Sequence, residues 1–399
     1  MRGVGRPERT KSSRMMKRCA ALILTSVAAL SSVVATVRAE EGKAPAKPAV
    51  AKAKATSAYS GIPEGDPRGV ADLTVCSQNL KLFGNLSAVS KKNAKYTAKV
   101  HEAKIEDLAE RFASVKCDVI ALQEIISKDE ADGEQALKPL IERLKVITSR
   151  RYTARVGPPA EGGMGLGFLI AEDRATIVNT LAYARVELPK LVAKQRPRMF
   201  SRTPLELQLS VKSRHDDQVK IVSIINFHMK SKRGGEGDPT GLEWETYRME
   251  MAEAFRRILE VRHRQSFASS QSILVVLGDR NSNFDVASAR ILEGSLRLSD
   301  FQMGGGCRLS KRGFPACQVG VEKPRRLFSV LTGNRDVFAL PGTFSYKGEY
   351  SWLDDILMPA ESLPFAWQNP TEDGRYASGV VYEPKGASDH AMVWMKLNW

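Results

Sequence analysis

Three common catalytic signatures are missing from this 399-residue sequence. It contains no Gly-x-Ser-x-Gly, no His-Glu-x-x-His and no Gly-x-x-x-x-Gly-Lys-Ser/Thr. Serine-hydrolase, zinc-protease and P-loop chemistry are therefore left without support. The Gly-rich stretch "EGGMGLGFLI" leads into a predicted strand instead of following one, so we interpret it as a flexible loop.

Histidine and cysteine are both scarce, with five residues of each, and their spacings match no zinc site. Cys307 and Cys317 flank a polar, turn-rich segment, "RLSKRGFPA". This pattern predicts a disulfide that closes the loop in an oxidising compartment and contributes roughly 3 kcal/mol. Cys76 and Cys117 lie in apolar, strand-like runs, and we interpret them as two buried thiols.

Acidic residues are too few to balance the basic ones, since 45 Asp and Glu stand against 60 Lys and Arg. The formal net charge of +15 favours polyanionic partners such as nucleic acid or anionic lipid surfaces. The first 39 residues hold eight Arg and Lys against one Glu, a balance of +7 that leaves about +8 for the rest.

The N-terminal region has the pattern of an export signal. Basic residues precede the apolar run "AALILTSVAALSSVVATV", which ends in "VRA" before Glu40. This predicts a signal peptide over residues 1–39 and a secreted or periplasmic protein without stable membrane insertion. The alternative is a membrane anchor, but Ser and Thr dilute the run. Residues 40–69 are rich in Ala, Lys and Pro, which predicts a flexible tether.

Regular apolar patterns begin near residue 70. The strand-like "DLTVCSQNL" is followed by a helical face with Leu108, Phe112 and Val115, and then by the strand-like "CDVIALQEI". This order predicts a right-handed crossover within a sheet. Predicted strands outnumber helices, and some alternate while others are apolar throughout. We therefore predict an α/β protein with two sheets packed face to face, helices outside, and one domain over residues 70–399.

Polar side chains gather where these predicted strands end. The clusters are Gln78 and Asn79; Gln123 and Glu124; Asn226 and His228; Asp279 and Asn281; Asp354 and Asp355; and Ser388, Asp389 and His390. Each cluster alone is compatible with a turn or a cap. Carboxylates that gather at one edge repel one another unless a cation lies among them, and such oxygen ligands suit Mg²⁺, Ca²⁺ or Mn²⁺.

This combination of residue types suits the hydrolysis of phosphate esters. A metal ion neutralises the phosphate, a carboxylate activates water, and amide and imidazole donors bind the transition-state oxygens. Two of the five histidines, His228 and His390, lie in the clusters. We interpret His101, His215 and His263 as surface residues.

The order of these motifs resembles the endonuclease/exonuclease/phosphatase superfamily over roughly residues 72–399. The matching pieces are Asn79, "LQE" ending at Glu124, "NFH" at 226–228, "GDRN" at 278–281, "LDDI" at 353–356 and "SDH" at 388–390. The resemblance implies a four-layer α/β sandwich of two packed mixed β-sheets flanked by helices. It also implies a bound divalent metal ion, Mg²⁺ in the first place.

The resemblance also implies roles for individual residues. Glu124 would be the main metal ligand, with Asn79, Asp354 and Asp389 near the metal or its waters. Asp279 would position or activate the attacking water, and Asn281 would contact the phosphate. His390, paired with Asp389, would act at the scissile phosphate, and His228, with Asn226 nearby, would assist the phosphate or the leaving oxygen.

Some stretches resemble particular branches of the superfamily. "NFHMKSKRGG" is similar to secreted bacterial nucleases, and "FSRTPLEL" is similar to pancreatic-type deoxyribonucleases, in which Arg202 would reach a phosphate. The alternative for Arg202 is a surface arginine. Two residues depart from the pattern. Arg280 replaces an apolar or aromatic residue and could add a phosphate contact, and Asp355 stands where His or Tyr is common.

The sequence therefore favours a secreted, monomeric, metal-dependent phosphodiesterase, an endonuclease or exonuclease for which DNA is favoured over RNA as the substrate. The basic loops that adjoin the motifs support a polymer substrate; they contain Lys194, Arg196, Arg198, Lys230, Lys232 and Arg233. A lipid or inositol-phosphate hydrolase, similar to a sphingomyelinase, is the alternative, for which we expect an exposed aromatic loop and find none. A basic binding protein with an inactive site is disfavoured, because no catalytic position is missing.

Overall fold

A computed structural model describes residues 70–232, 242–318, 325–366, 376–382 and 387–399. The predicted signal peptide and tether lie outside the described residues, as does Arg233. Within the described ranges, no helix combines the length and apolar character needed to cross a bilayer.

The strands are β1 (Leu73–Gly84), β2 (Val119–Ile126), β3 (Tyr152–Val156), β4 (Met164–Ala171), β5 (Ala175–Ala182), β6 (Leu205–Lys212), β7 (Val219–His228), β8 (Ser272–Asp279), β9 (Cys307–Leu309), β10 (Pro315–Cys317), β11 (Leu327–Ser329), β12 (Phe344–Tyr346), β13 (Glu349–Ser351), β14 (Asp354–Pro359), β15 (Ser378–Val381) and β16 (Met392–Leu397). The helices are α1 (Leu86–Lys92), α2 (Ala98–Val115), α3 (Glu130–Thr148), α4 (Glu245–Arg262), α5 (Ala287–Leu292) and α6 (Arg335–Phe338). Short 3-10 turns cover Glu161–Gly163, Gln265–Phe267, Leu298–Phe301 and Leu363–Phe365.

Two six-stranded sheets form the centre of the fold. The first has the order β15-β16-β1-β2-β4-β3 and the second has the order β11-β14-β8-β7-β6-β5. Both are mixed, because β1 pairs in parallel with β2 and β7 with β8, while the other neighbours are antiparallel. The inner faces of both sheets share one apolar core, which includes Val75, Phe168, Leu207, Ile224 and Ile356.

Helices cover the outer faces of the two sheets. The buried face of α2 contributes Leu108 and Phe112 to the core over the first sheet, and α4 contributes Met251 and Phe255 over the second. The predicted four-layer sandwich of two mixed β-sheets is therefore confirmed. Helix α3 is not among the predicted helices, because Pro139 lies inside it and interrupts the sequence pattern.

The two parallel pairs determine where polar strand ends meet. β1 continues through α2 into β2, and β7 continues through α4 into β8, which places the carboxyl ends of each pair at one edge. In the register of the second sheet, His228 lies opposite Asp279, and Asp279 lies opposite Asp354. The predicted clustering of polar strand ends follows from this topology.

Two disulfides are present among the described residues. Cys307–Cys317 joins β9 to β10, which confirms the predicted loop closure. The second disulfide joins Cys76 in β1 to Cys117, two residues before β2 begins. The interpretation of these cysteines as free thiols is therefore wrong. The parallel pairing of β1 with β2 brings their Cα atoms to 5.9 Å, within the range for a disulfide.

Candidate active site

Paired irregularities at the ends of β1 and β2 form the first wall of the site. The β1–β2 register shifts between Asn79 and Phe83, and Lys81, Leu82 and Glu124 have positive φ angles of 48°, 60° and 64°. Non-glycine residues rarely adopt this conformation, and it concentrates at functional sites. The backbone amide of Leu82 donates to Glu124 Oε2 (3.0 Å), and Asn79 Nδ2 lies 3.4 Å from Glu124 Oε1.

Asp279 lies at the centre of the site and links the two sheets. Its Oδ2 accepts a hydrogen bond from Asn79 Nδ2 of the first sheet (3.0 Å), and its Oδ1 accepts from the Asn281 backbone amide (2.7 Å). The residue is only 1% exposed. Burial raises the pKa of Asp279 to about 7, against the opposing charge of His390 and with a further contribution from Asp354.

His390 is held by Asp354, not by its sequence neighbour Asp389. Its Nδ1 lies 2.8 Å from Asp354 Oδ2, and its Nε2 lies 3.8 Å from Asp279 Oδ2. Burial lowers the pKa of His390, but the two carboxylates outweigh burial and raise this pKa to about 10. Asp389 instead lies 3.2 Å from Lys81 Nζ, so the predicted Asp389–His390 pair is wrong. His390 is an imidazolium between two carboxylates.

His228 faces the same carboxylate in the opposite protonation state. Its Nε2 lies 3.4 Å from Asp279 Oδ2, and its Nδ1 has no hydrogen-bond partner among the described residues. Burial, together with the charges of Arg202 and His390, holds the pKa of His228 well below its usual range. One neutral and one charged imidazole therefore converge on Asp279.

Arg202 is buried, so the alternative of a surface arginine is wrong. It is 7% exposed, and its Nη2 lies 3.4 Å from Met164 Sδ. Its Nε has no partner among the described residues. A buried guanidinium with an unused donor can bind an anion strongly, because it has already lost much of its hydration.

Two predicted phosphate contacts are instead used within the protein. Asn226 accepts from Gln123 Nε2 (2.8 Å) and donates to the carbonyl oxygens of Leu122 (2.9 Å) and Gly167 (3.0 Å). Both of its hydrogens are committed and it is fully buried, so it joins the two sheets and does not face substrate. Asn281 Nδ2 donates to Met229 O (3.1 Å) and Asp279 Oδ2 (3.2 Å), so it orients Asp279 in this structure.

The two departures from the motif pattern neutralise each other. Arg280 is 1% exposed, and its Nη1 lies 2.9 Å from Asp355 Oδ2 and 3.6 Å from Glu293 Oε1. The predicted contact between Arg280 and phosphate is therefore wrong, because the guanidinium points into this buried ion pair. Asp355 is further bound by Ser329 Oγ at 2.6 Å.

The basic loops are only partly exposed. Lys230 Nζ lies 4.9 Å above the Trp244 ring, and burial lowers the pKa of Lys232. Arg198 Nη2 binds the buried Glu250 at 2.8 Å, whereas Lys194 and Arg196 are exposed.

The expectation that His263 is a surface residue is also wrong, since it is buried against Glu206.

A metal ion could bind at this edge of the fold. Asp279, Asp354 and His390 have potential ligand atoms within 4.8 Å of one another, and the two carboxylates are the donors that remain while His390 is charged. Asp354 Oδ1 is buried and has no hydrogen-bond partner among the described residues. Glu124 adds a carboxylate beside Asn79, and Asn79 Oδ1, which accepts from the Lys81 backbone amide (2.9 Å), keeps a second lone pair of the kind that hard divalent cations prefer.

Side chains that the motifs do not contain complete the site. Arg111 Nη1 donates to Gln78 Oε1 (2.6 Å), and Gln78 Nε2 donates to the His390 carbonyl (3.1 Å). This chain of hydrogen bonds fixes the backbone of His390. The ring of Phe344 lies 4.8 Å from that of His390. Phe344 begins the β12–β13 hairpin, whose Tyr346 and Tyr350 are about half exposed. The expectation of no exposed aromatic loop is therefore wrong.

Solved structures of endonuclease/exonuclease/phosphatase proteins are similar to this chain. The human nocturnin catalytic domain with bound sulfate is 15% identical, with a TM-score of 0.46 over 81% of this chain and 92% of that one. An endonuclease/exonuclease/phosphatase family protein of Bacteroides thetaiotaomicron is 14% identical, with a TM-score of 0.47 over 82% and 94%. The mannosyl-6-phosphatase of the same species is 15% identical, with a TM-score of 0.46 over 82% and 100%.

With identities of 14–15% and TM-scores of 0.46–0.47, these similarities concern the fold and carry no argument about activity. No family model matches the sequence, and no curated protein matches it.

Proposed function

We propose that this protein is a divalent-metal-dependent phosphodiesterase that hydrolyses DNA. The observation that carries the proposal is the convergence of a neutral and a charged histidine on one buried carboxylate. His228 Nε2 lies 3.4 Å and His390 Nε2 lies 3.8 Å from Asp279 Oδ2. A general base and an adjacent cationic donor are what hydrolysis of a phosphate ester needs.

Asp279 acts as the base in this proposal. Its pKa of about 7 lets the carboxylate both accept and release a proton near neutral pH. His390, kept charged by Asp354, donates a hydrogen bond to a phosphate oxygen, and the buried Arg202 holds another. Asn281 and Asn79 are positioning residues, since both donate to Asp279.

The residues present fit a divalent metal ion. Glu124 and Asn79 Oδ1 would hold it, and Asp354 Oδ1 is a further buried oxygen without a hydrogen-bond partner among the described residues. Asp389, which lies beside Lys81, would act through that lysine or through water. The ion, Mg²⁺ in the first place and Mn²⁺ or Ca²⁺ otherwise, would supply positive charge that stabilises the phosphate in the transition state.

A DNA substrate is supported by charge. Without residues 1–39 the chain carries about +8, and the exposed Lys194 and Arg196 lie in the loop that leads to Arg202. Each phosphate contact releases counterions, so binding should fall with a log–log salt slope of roughly −0.9 per contact. RNA carries the same backbone charge and is the next substrate to compare.

A lipid or inositol-phosphate hydrolase is the second candidate, and one observation favours it. Tyr346 and Tyr350 are 52% and 47% exposed on the hairpin that begins beside His390. Amphipathic rings next to a phosphate site can enter a membrane interface. The neighbouring Lys347, whose Nζ lies 5.3 Å from the Tyr346 ring, suits an anionic surface of either kind.

One set of assays separates these candidates. The protein should be incubated with supercoiled plasmid, structured RNA and sphingomyelin vesicles, each with Mg²⁺ and with EDTA. We expect Mg²⁺-dependent plasmid cleavage that falls steeply with salt and is stopped by EDTA. Tyr346→Ser with Tyr350→Ser is the matched variant, and it should leave plasmid cleavage within a few-fold. Sphingomyelin hydrolysis with DNA untouched would establish the second candidate instead.

We also propose export, with cleavage after Ala39 and a monomeric mature protein. The two disulfides support this, because such bonds persist in oxidising compartments. Mass spectrometry of protein recovered outside the cytoplasm should find Glu40 as the first residue. An uncut chain in the membrane fraction would establish a membrane anchor instead. Size-exclusion chromatography with light scattering measures the mass of the mature protein and so tests whether it is a monomer.

A further inference from the structure

A basic cavity lies on the outer side of α4, away from the site described above. It has a volume of about 120 Å³, well above the roughly 10–15 Å³ that one water molecule needs. Its principal charged residues are Arg256 and Arg257 on α4, Arg297 and Arg325 beyond it, and the glutamates Glu253 and Glu260. Arg256 lies eleven residues after the first residue of α4, so about 16 Å of helix separates it from the N-terminus of α4.

Arg256 is the unusual member of this group. It is 6% exposed, and its Nη1 has no hydrogen-bond partner among the described residues. Its Nη2 donates to Glu260 Oε1 (3.1 Å) and to the Arg325 carbonyl oxygen, so that arm of the guanidinium is used within the protein and Nη1 is the unused one. Leaving a charged donor buried and unsatisfied costs free energy that a bound anion would recover.

The charges around the cavity leave room for an anion. Four arginines face two glutamates, a surplus of two positive charges. Both glutamates are already paired, since Glu253 Oε1 lies 3.0 Å from Arg257 Nε and Glu260 binds Arg256. Burial lowers the pKa of Arg256, as expected for a cation whose charge is incompletely compensated.

Gly294 lies directly beside the Arg256 guanidinium in the lining of the cavity. Gly294 has a φ of 77°, and a Cβ there would lie 2.6 Å from the Arg325 carbonyl oxygen and 2.9 Å from Arg256 Nη2. A side chain there would displace the Arg256 guanidinium or the Arg325 carbonyl that it contacts, so glycine allows Arg256 to lie at this position in the cavity. Glycine at such a position allows close approach of the backbone to a ligand.

We propose that this cavity is an accessory phosphate-binding site, with Arg256 as its central donor and Arg297 and Arg325 at its rim. The unused Nη1 of Arg256 can donate a charge-assisted hydrogen bond to a phosphate oxygen. Free phosphate and a nucleic-acid phosphodiester both offer this chemistry. The site does not depend on the proposed function, because no residue of the Asp279 cluster lines it.

Calorimetric titration of the protein with inorganic phosphate at low ionic strength tests the proposal. Phosphate can also bind near Arg202, so Arg202→Gln should be titrated to identify that contribution. Arg256→Gln should weaken the remaining phosphate binding at least tenfold, the scale of a lost charge-assisted hydrogen bond. Arg297→Gln, at an exposed residue, should weaken it by a smaller factor without risk to folding. Arg264→Gln is the matched control, an exposed arginine just beyond α4 that does not line the cavity.

A second titration, with duplex DNA, identifies the source of the phosphate. If Arg256→Gln weakens DNA binding and reduces the salt slope by about one contact, the site binds the nucleic-acid backbone. If only inorganic phosphate is affected, the site binds free phosphate. The proposal is overturned if Arg256→Gln, folded by circular dichroism, and Arg297→Gln both bind phosphate as well as Arg264→Gln does.

Discussion

Glu206 on β6 and Asp279 on β8 are buried carboxylates in the same sheet, and they titrate in opposite directions. Burial raises the pKa of both groups. Glu206 is contacted by Tyr183 Oη, His263 Nε2 (3.2 Å) and Arg262 Nε (3.3 Å), and these partners lower its pKa to about 2. Asp279 lies near Asp354 instead, and its pKa is raised to about 7.

The difference shows that partners, and not depth, decide what a buried carboxylate does. Glu206 is ionised near neutral pH and surrounded by donors, so its charge contributes to stability. Asp279 shares its surroundings with a second carboxylate and two histidines, which leaves it able to exchange a proton. Buried titratable groups whose neighbours shift their pKa towards neutrality mark functional sites.

The largest effect on stability is expected for Arg280→Gln, which removes the positive charge that balances a buried carboxylate. Arg280→Gln would leave Asp355 buried without its 2.9 Å ion pair. We expect a loss of about 3–5 kcal/mol in the free energy of unfolding, the usual cost of breaking a buried pair. Urea denaturation measures it, with Arg290→Gln as the control, since that exposed arginine also contacts Glu293. Unchanged stability together with weaker DNA binding would restore the role in phosphate contact that the sequence predicted for Arg280.

Glu206→Gln should have a smaller effect on stability. Replacing the charged acceptor weakens hydrogen bonds from Tyr183, Arg262 and His263, and we expect a loss of about 1.5–3 kcal/mol near neutral pH.

The pH dependence of that loss has a definite sign. Because the folded pKa of Glu206 is lowered to about 2, its stabilisation is complete above the pKa of about 4.3 expected for the unfolded chain. It disappears as the pH falls through 2. The stabilities of wild type and Glu206→Gln should therefore converge in acid, as followed by thermal unfolding. A difference that persists unchanged at pH 2 would contradict the assigned ionisation.

The smallest expected effect is a shift in the pH dependence of activity in Asp354→Asn, measured at saturating Mg²⁺ because Asp354 Oδ1 is also a proposed metal oxygen. It removes the carboxylate that holds His390 Nδ1 at 2.8 Å, so burial has more weight and the pKa of His390 falls from about 10. The alkaline limit of activity should move down by at least about one pH unit. A pH–rate profile of kcat measures the shift. An identical shift in Asp389→Asn would indicate that both carboxylates hold the ring.

The sequence predicts much of the architecture because local patterns carry it. The apolar runs that end at Asn79, Glu124, His228 and Asp279 are strands in the structure, and the parallel pairs gather their ends. What a local pattern lacks is the partner of each side chain. The predicted His390 partner was its neighbour Asp389, whereas the strand register brings Asp354 to the ring.

Long-range pairing explains the other errors in the same way. Arg280 and Asp355 each look like an isolated departure from a motif, and only the antiparallel β8–β14 pairing shows that they compensate each other. Cys76 and Cys117 sit in separate apolar runs until the parallel β1–β2 pairing brings them together.

The most direct test measures turnover and stability together in Asp279→Asn and Glu206→Gln. Each change replaces one buried carboxylate by its amide, so the pair is matched in size and charge. We predict that Asp279→Asn lowers kcat on plasmid DNA at least 100-fold, as expected for loss of a general base, while the free energy of unfolding does not fall. Glu206→Gln should lower the free energy of unfolding and leave kcat within a few-fold. Near-normal turnover in folded Asp279→Asn would contradict the account.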